Sequence, residues 1–449
     1  MTVLKTTEQL KKLKERIEGS IERSGYIQDH IKNLSINGQI EKLGEDAVRK
    51  LMFQDRVLVR RYSLEAAAEM VGVTRHIIST AEANGELPEP DFRVDTARKI
   101  RAGYTINQIN DMRAHFNTLP EVEESIKSSV IAFLNLKGGA QKTTMTVFFA
   151  HWLATKGYKI LLVDTDPQAS LTEAFGLSPD TVISYSHTMA PFILEDDDAL
   201  VDAGHPPGSF ETLHYAVHPT YWNHIDIIPG CLDLLNIDLM ANRESLDRQV
   251  SLDKLRKGLK EVGEGYDFIL IDGTPSLNVS TLNVITATDQ VFVPAPAEMS
   301  DYRSTVKFLG MLQEVIDNRI RAEAPVPFPD INFLINKKVK TNYSDLMTEI
   351  IENTFNEPDG SDDIVLKNHV HSSIEVGKAA SDMVYLFEAN KGDSSNREGF
   401  KKAEDNYTAV FEEALEVLRR NLDPNRVSIT KKDIMVAKAK FNVLPKGEI

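Results

Sequence analysis

A single cysteine, Cys231, occurs in 449 residues, so the chain holds neither an internal disulfide framework nor a cluster of thiolate metal ligands. It reads as a small core residue. Long apolar runs are missing too. Nothing approaches the ~18 residues of a membrane span, and the opening MTVLKTTEQLKKLKERIE is charged, without the apolar stretch of a signal peptide. The expectation is a cytoplasmic protein with no membrane partner. Internal repeats and low-complexity tracts are also absent. So is any basic excess, since 51 Lys and Arg stand against 67 Asp and Glu, a net charge of −16. That balance leaves DNA binding open, because DNA needs only a local basic face. Part of the acid falls in short runs, from Glu195 to Asp198 and from Glu357 to Asp363, that read as solvated loops.

What is present organises into three units. Residues 1–44 read as an N-terminal helix with Leu10, Leu13, Ile17 and Ile21 at helical spacing, a stripe able to serve as a dimer contact or to pack on its own domain. Residues 45–120 read as an all-α helix–turn–helix or winged-helix domain, with a linker near its end. Residues 121–449 change texture: short continuous apolar runs at 129–134, 159–164, 267–272 and 290–294 alternate with helical patterns at 143–155, 278–287 and 302–318, and a long helix closes at 397–421. Continuous rather than alternating apolarity marks strands covered on both faces. The fold expected is therefore α/β, a doubly wound, mostly parallel sheet with ligands at the carboxyl ends of its strands.

The strand ending at Leu134 runs into Asn135-Leu-Lys-Gly-Gly-Ala-Gln-Lys-Thr-Thr144 and then a helix. Strand, glycine loop, Lys-Thr and helix form the context of a P-loop. Gly138 and Gly139 let backbone N–H groups converge on an anion, and the helix N-terminus adds its positive dipole end. Lys142 can reach the β- and γ-phosphates and the Thr143 hydroxyl can ligate Mg2+. Ile269-Leu-Ile-Asp272 reads as a Walker B strand whose acid, Asp272, holds Mg2+ through water.

The loop departs from GxxxxGK[ST]: Leu136 stands at the first glycine position and Gln141 replaces the second. It matches KGGxxK[ST], with Lys137 in front, and resembles the deviant Walker A of the ParA/MinD ATPases. The segment Asp164-Thr-Asp166-Pro-Gln168 resembles the DxDPQ motif of that family, and the likeness runs from Val130 to about Leu418. It implies a P-loop NTPase that hydrolyses ATP slowly with Mg2+. Gly138, Gly139, Ala140, Gln141, Lys142, Thr143 and Thr144 would hold the phosphates, and Lys137 would reach the ATP of a partner subunit, making the ATP state a homodimer. Asp166 would position the attacking water, with Asp164 supporting the metal shell. Pro296 and Asn336, at strand ends, would lie by the adenine. The family more often has glycine where Gln141 stands. Basic residues toward the C-terminal side of the fold would bind DNA without sequence preference, the candidates being Arg303, Lys337, Lys338, Lys340, Lys367 and Lys378, with Lys378 favoured by its segment Ser373-Ile-Glu-Val-Gly-Lys.

Tyr62 to Gly85 has helix–turn–helix spacing. Ser63 and Thr74 can cap its helices, Ala68 is small where they cross and Gly72 permits the turn. Val73, Ile78 and Ala81 would face the core, leaving Thr74, Arg75, His76, Ser79 and Thr80 for a major groove. Residues 85–93 resemble the wing of MerR-like domains, and Arg60 and Arg61 could touch phosphates. The larger ParA class carries such a domain and represses its own operon with it. The resemblance therefore implies a nucleoid-associated partition ATPase with a ParB-type partner and a specific operator. A nucleotide-sensing repressor without a partition role is the alternative. A MinD-like membrane ATPase fits less well, since the tail from Lys431 to Phe441 lacks a strong apolar stripe. An iron protein of the nitrogenase type is excluded by the lone cysteine.

Overall fold

The computed structural model describes residues 56–422, apart from positions 89, 96–97, 180–181, 244–252, 277, 322–327, 358–362, 382–383, 391, 393 and 395. The expected helix of residues 1–44 and the tail after 422 lie outside the described residues.

A strand forms at each of the four apolar runs, and further strands form where no such run announced them. β1 (Asp91–Asp95) and β2 (Arg98–Gly103) pair antiparallel in a small hairpin at the place of the expected wing, the one pair of strands in a region otherwise read as all-α. The main sheet comprises β3 (Ser129–Phe133), β4 (Ile160–Asp164), β5 (His218–Pro219), β6 (Ile225–Ile228), β7 (Phe268–Asp272), β8 (Gln290–Pro296) and β9 (Asp330–Asn336). Their order is β5-β6-β4-β7-β3-β8-β9, and every pairing is parallel except β5 with β6. β3 sits inside the sheet between β7 and β8, with β4 beyond β7 and β9 beyond β8. The chain leaves the end of β3 at the position where the strand order reverses, so the loop after β3 opens into a crevice.

Both faces of the sheet are covered, which is why the strands read as unbroken apolar runs. Ile131, Phe133, Ile160, Leu162, Phe268 and Leu270 point into one core with Phe148, Phe149 and Phe411 of the helices Lys142–Lys156 and Arg397–Asn421. Their neighbours Val130, Ala132, Leu161, Val163, Ile269 and Ile271 point into the other, against Leu255, Leu259, Val284 and Phe308. The helix Lys142–Lys156 is buried along most of its length, because the sheet lies on one side and the closing helix on another.

The helical N-terminal segment is not a separate bead. Ala67, Ala68, Val71, Ile78, Ala81, Tyr104, Ile109 and Met112 belong to the same apolar cluster as the P-loop helix. Polar staples add to it. The Asn110 side-chain amide donates to the Ala154 carbonyl (3.1 Å), and Arg60 pairs with Glu404 at 2.7 Å. The acidic run at 195–198 also differs from the solvated loop expected: Asp196 caps the helix Asp197–Asp202 by accepting from the Ala199 amide (3.1 Å), and Asp197 accepts from the Gly208 amide (2.9 Å). Three adjacent carboxylates at a helix N-terminus meet its positive dipole end, which favours that placement. Cys231 is buried, as a small core residue would be.

Candidate functional site

The loop between β3 and the helix Lys142–Lys156 is shaped by residues that its motif does not include. Asn135 is buried. Its amide donates to the Pro294 carbonyl (2.8 Å) and the Thr305 hydroxyl (3.1 Å), while its oxygen accepts the Lys137 backbone N–H (3.1 Å). Gly138 and Gly139 are exposed, and a Cβ on either would meet nothing within 4 Å. Their glycine character leaves room over the backbone rather than relieving a clash within the protein, as an anion cradle requires. Gly139 also has φ +76°, a left-handed conformation.

Gln141 is left-handed as well, at φ 66° and ψ 29°, an unusual conformation for a residue with a side chain. Asn336 accounts for its retention. That side chain, buried at the end of β9, donates to the Ala140 carbonyl (2.9 Å) and to the Gln141 Oε1 (3.0 Å). The resemblance sets Asn336 beside an adenine; here its amide clamps the loop itself, and only Oδ1 is without a hydrogen-bond partner. Pro296 is buried at the end of β8, where its carbonyl accepts from the Glu298 amide (2.7 Å).

Three acids and a lysine converge beyond the loop. The Thr143 hydroxyl donates to Asp272 Oδ2 at 2.5 Å. Asp272 is fully buried, and its Oδ1 has no hydrogen-bond partner. Burial raises this carboxyl well above its ordinary value and the charge of Asp164 adds to the rise, against Thr143 and Lys142. Burial likewise lowers Lys142, while Asp272 and Asp166 raise it. A hydroxyl and a carboxylate in contact, beside a carboxylate oxygen without a hydrogen-bond partner, suit a divalent cation that takes its other ligands from phosphate and water. Among the described residues no cluster of three His, Cys, Asp or Glu side chains could hold a metal by itself.

Asp164 has different partners from those of a metal ligand. Its Oδ2 accepts from the Thr172 amide (2.9 Å) and hydroxyl (2.7 Å), its Oδ1 from the Asp166 amide (3.2 Å). Burial raises it to about 6, against these bonds. Gly230 closes the same pocket, donating to the Thr172 hydroxyl (2.8 Å), and a Cβ there would stand 3.0 Å from the Asp164 carboxyl carbon. Asp164 thus shapes the turn that presents Asp166, whose Oδ1 accepts from the Gln168 amide (2.9 Å). Thr172, Gly230 and Asn135 escaped the sequence reading, having no motif letter of their own.

Elsewhere the expected positions diverge. Ser63 and Thr74 cap their helices, accepting from the Ala66 amide (3.2 Å) and the Ile77 amide (3.4 Å), and Gly72 makes the turn at φ 80°. Ile78 and Ala81 face inward; Thr74, Arg75, His76 and Thr80 are exposed and Ser79 is half-buried. Arg60 and Arg61, expected at phosphates, are instead turned into the body, Arg60 onto Glu404 and the Phe387 carbonyl (3.4 Å), Arg61 onto the Leu58 carbonyl (2.5 Å). Lys338 and Lys340 follow β9 on a loop tied to residues 369–372, Lys338 donating its amide to the Val370 carbonyl (3.1 Å). Burial, with Lys338 and His371 beside it, pushes His369 down to about 4, and burial with Lys338 and Lys340 lowers His371. Carboxylates face these groups, Asp345 at 3.5 Å from Lys338 and Glu352 at 3.2 Å from His369. Lys378 lies on the helix Ile374–Ser381.

A parallel sheet with a glycine loop after its central strand, a Lys-Thr pair opening the next helix and a buried acid closing the adjacent strand define a P-loop NTPase domain. The family described as AAA domain matches residues 128–323. Protein SopA of Escherichia coli (strain K12) is 35% identical over 337 residues, covering 74% of this chain and 82% of that protein. Chromosome-partitioning ATPase Soj of Treponema pallidum is 33% identical over 168 residues, covering 37% of this chain and 57% of its own length. A solved structure described as Partition Protein superposes with a TM-score of 0.58 at 19% identity, over 85% of this chain and 99% of that one, and shares the fold. The chain belongs to the ParA family of partition ATPases.

Proposed function

We propose that this protein hydrolyses ATP with Mg2+, pairs as an ATP-bound homodimer, binds duplex DNA without sequence preference in that state, and answers to a ParB-type partner. It also represses its own operon through the helix Arg75–Ala83. The observation that carries the ATPase part is the contact between Thr143 and the buried Asp272, beside an orphaned Asp272 oxygen and an open glycine cradle.

Each residue has a task that its position allows. The backbone N–H groups from Gly138 to Thr144 bind phosphate oxygens, and Lys142, emerging from the first turn of its helix, neutralises them. Thr143 and, through water, Asp272 would hold Mg2+, and Asp164 steadies the turn from which Asp166 positions water. Bound Mg2+ supplies charge neutralisation at the phosphates. Lys137 stands at the exposed front of the loop, suited to a second subunit's nucleotide. Lys340 and Lys378 serve nonspecific DNA, Lys340 standing exposed on the loop after β9. Thr74, Arg75, His76, Ser79 and Thr80 read the operator. Turnover is slow without the partner.

The deciding measurement is binding to random-sequence duplex DNA at one fixed salt concentration, with ATP plus Mg2+ against ADP plus Mg2+. Tight binding with ATP alone is expected. Equal binding in both states, or none in either, would leave a nucleotide-sensing repressor as the better account.

A further inference from the structure

One buried charge at the nucleotide end of the sheet belongs to none of the motifs. Asp301 lies in the first turn of the helix Met299–Arg321 and is 3% exposed. Lys137 Nζ stands 3.2 Å from its Oδ1. The contact is framed from both sides. On the helix side the Ser300 hydroxyl donates to the same Oδ1 (3.1 Å), and the Asp301 carbonyl accepts from the Thr305 hydroxyl (3.0 Å). On the loop side Asn135 grips that Thr305 hydroxyl (3.1 Å) and receives the Lys137 amide (3.1 Å). One chain of hydrogen bonds therefore fixes the carboxylate and the root of the lysine together. The lysine side chain itself is 38% exposed. It can swing outward without disturbing the loop.

We propose that Asp301 is a positioning residue that latches Lys137 in the single subunit, and that ATP-dependent pairing of two copies must open this latch in each. The inference rests on the dimer proposed above, in which Lys137 reaches the partner's nucleotide. A lysine ammonium is a compact point charge, and it can stand at contact distance from Asp301 or from a phosphate of the other subunit, not both. In the proposed dimer Lys137 meets the terminal phosphoryl group of the partner's ATP; a diphosphate lacks that group and leaves Lys137 on Asp301. After release Asp301 is not stranded, because the Ser300 hydroxyl and the positive end of its helix remain beside it. Asp301 thereby sets the threshold at which ATP pairs the subunits, and it does so without touching the nucleotide.

The test compares wild type, Asp301→Asn and Asp301→Glu by sedimentation over a range of protein concentrations, with a slowly hydrolysed ATP analogue plus Mg2+ and with ADP plus Mg2+. Asp301→Asn is expected to favour release about tenfold per subunit, so that half-pairing with the analogue needs about a hundredfold less protein. The ADP state should stay unpaired and Asp301→Glu should fall back toward wild type. Pairing by Asp301→Asn that is unchanged or weaker would overturn the latch. A second measurement is independent of pairing: the rate at which an amine-acylating reagent labels Lys137 in nucleotide-free protein. Losing the ion pair should raise that rate several-fold in Asp301→Asn, and an equal rate would overturn the proposal even if the subunits pair. Wild type that never pairs with the analogue would instead remove the dimer, leaving the labelling rates to decide whether Asp301 holds Lys137.

Discussion

The phosphate end of the sheet and the N-terminal helical segment are both built from caps, turns and small residues, but they are held in opposite ways. At the phosphate end the charged groups are packed without full compensation: Asp272 has an orphaned oxygen, and burial pushes its carboxyl and the Lys142 ammonium away from their charged forms. That is a site waiting for ligand charge. Where the N-terminal segment meets the rest of the chain, the buried charges answer one another. The Arg56 guanidinium lies between the rings of Tyr221 and Tyr385, at 5.2 and 5.1 Å, pairs with Glu388 at 3.3 Å, and donates to the Ala174 carbonyl. Glu388 also accepts from Tyr221 and from the Trp222 indole N–H (3.1 Å). Burial alone would raise Glu388; Arg56 and these donors hold it below its usual value. The difference separates a binding site from a structural joint, although both contain buried ions.

The largest test of that contrast is Arg56→Met. It strands Glu388 in a buried position and should cost about 3–5 kcal/mol of stability, read as a lower unfolding midpoint; an unchanged midpoint would show that the N-terminal segment is only tethered. Next is pH. Burial pushes the His151 imidazole down to about 4, with Glu388 opposing and Arg56 adding to the fall. The unfolded chain binds this proton near the ordinary 6.5, so between those values the unfolded state holds more protons and stability drops as pH falls. The loss approaches on the order of 3 kcal/mol by pH 4, and His151→Leu should flatten that part of the stability–pH curve. Lys142→Ala should weaken ATP binding about a hundredfold, some 2.7 kcal/mol, while leaving the fold intact by circular dichroism; wild-type affinity in this variant would take Lys142 out of the phosphate site. The smallest effect belongs to Thr74→Ala, where loss of a 3.4 Å cap should cost about 0.5–1 kcal/mol and leave ATP affinity alone, which calorimetry can check.

These two regions were not equally legible beforehand. The loop from Lys137 to Thr144 and the acids after β4 and β7 announce themselves, because a phosphate cradle needs particular residues at consecutive positions after a strand. The caps Ser63 and Thr74 and the turn at Gly72 are local for the same reason. The sequence marks Asn336 as a strand end, but nothing in a sequence says that its amide points to the loop at Ala140 and Gln141. Arg60 and Arg61 read as an exposed basic pair because their carboxylate and carbonyl partners lie elsewhere: Glu404 and Phe387 more than three hundred residues away for Arg60, the nearby Leu58 only after the chain turns for Arg61.

By itself, then, the sequence determined the class of fold, the strands through their unbroken apolar runs, and the phosphate loop, all properties set by short-range spacing and by burial on both faces. Only the tertiary structure decided which charges are paired: Lys137 on Asp301, Arg56 on Glu388, Arg60 on Glu404. Such contacts join segments distant along the chain, and ion pairing depends on distance in space, which the order of residues does not contain.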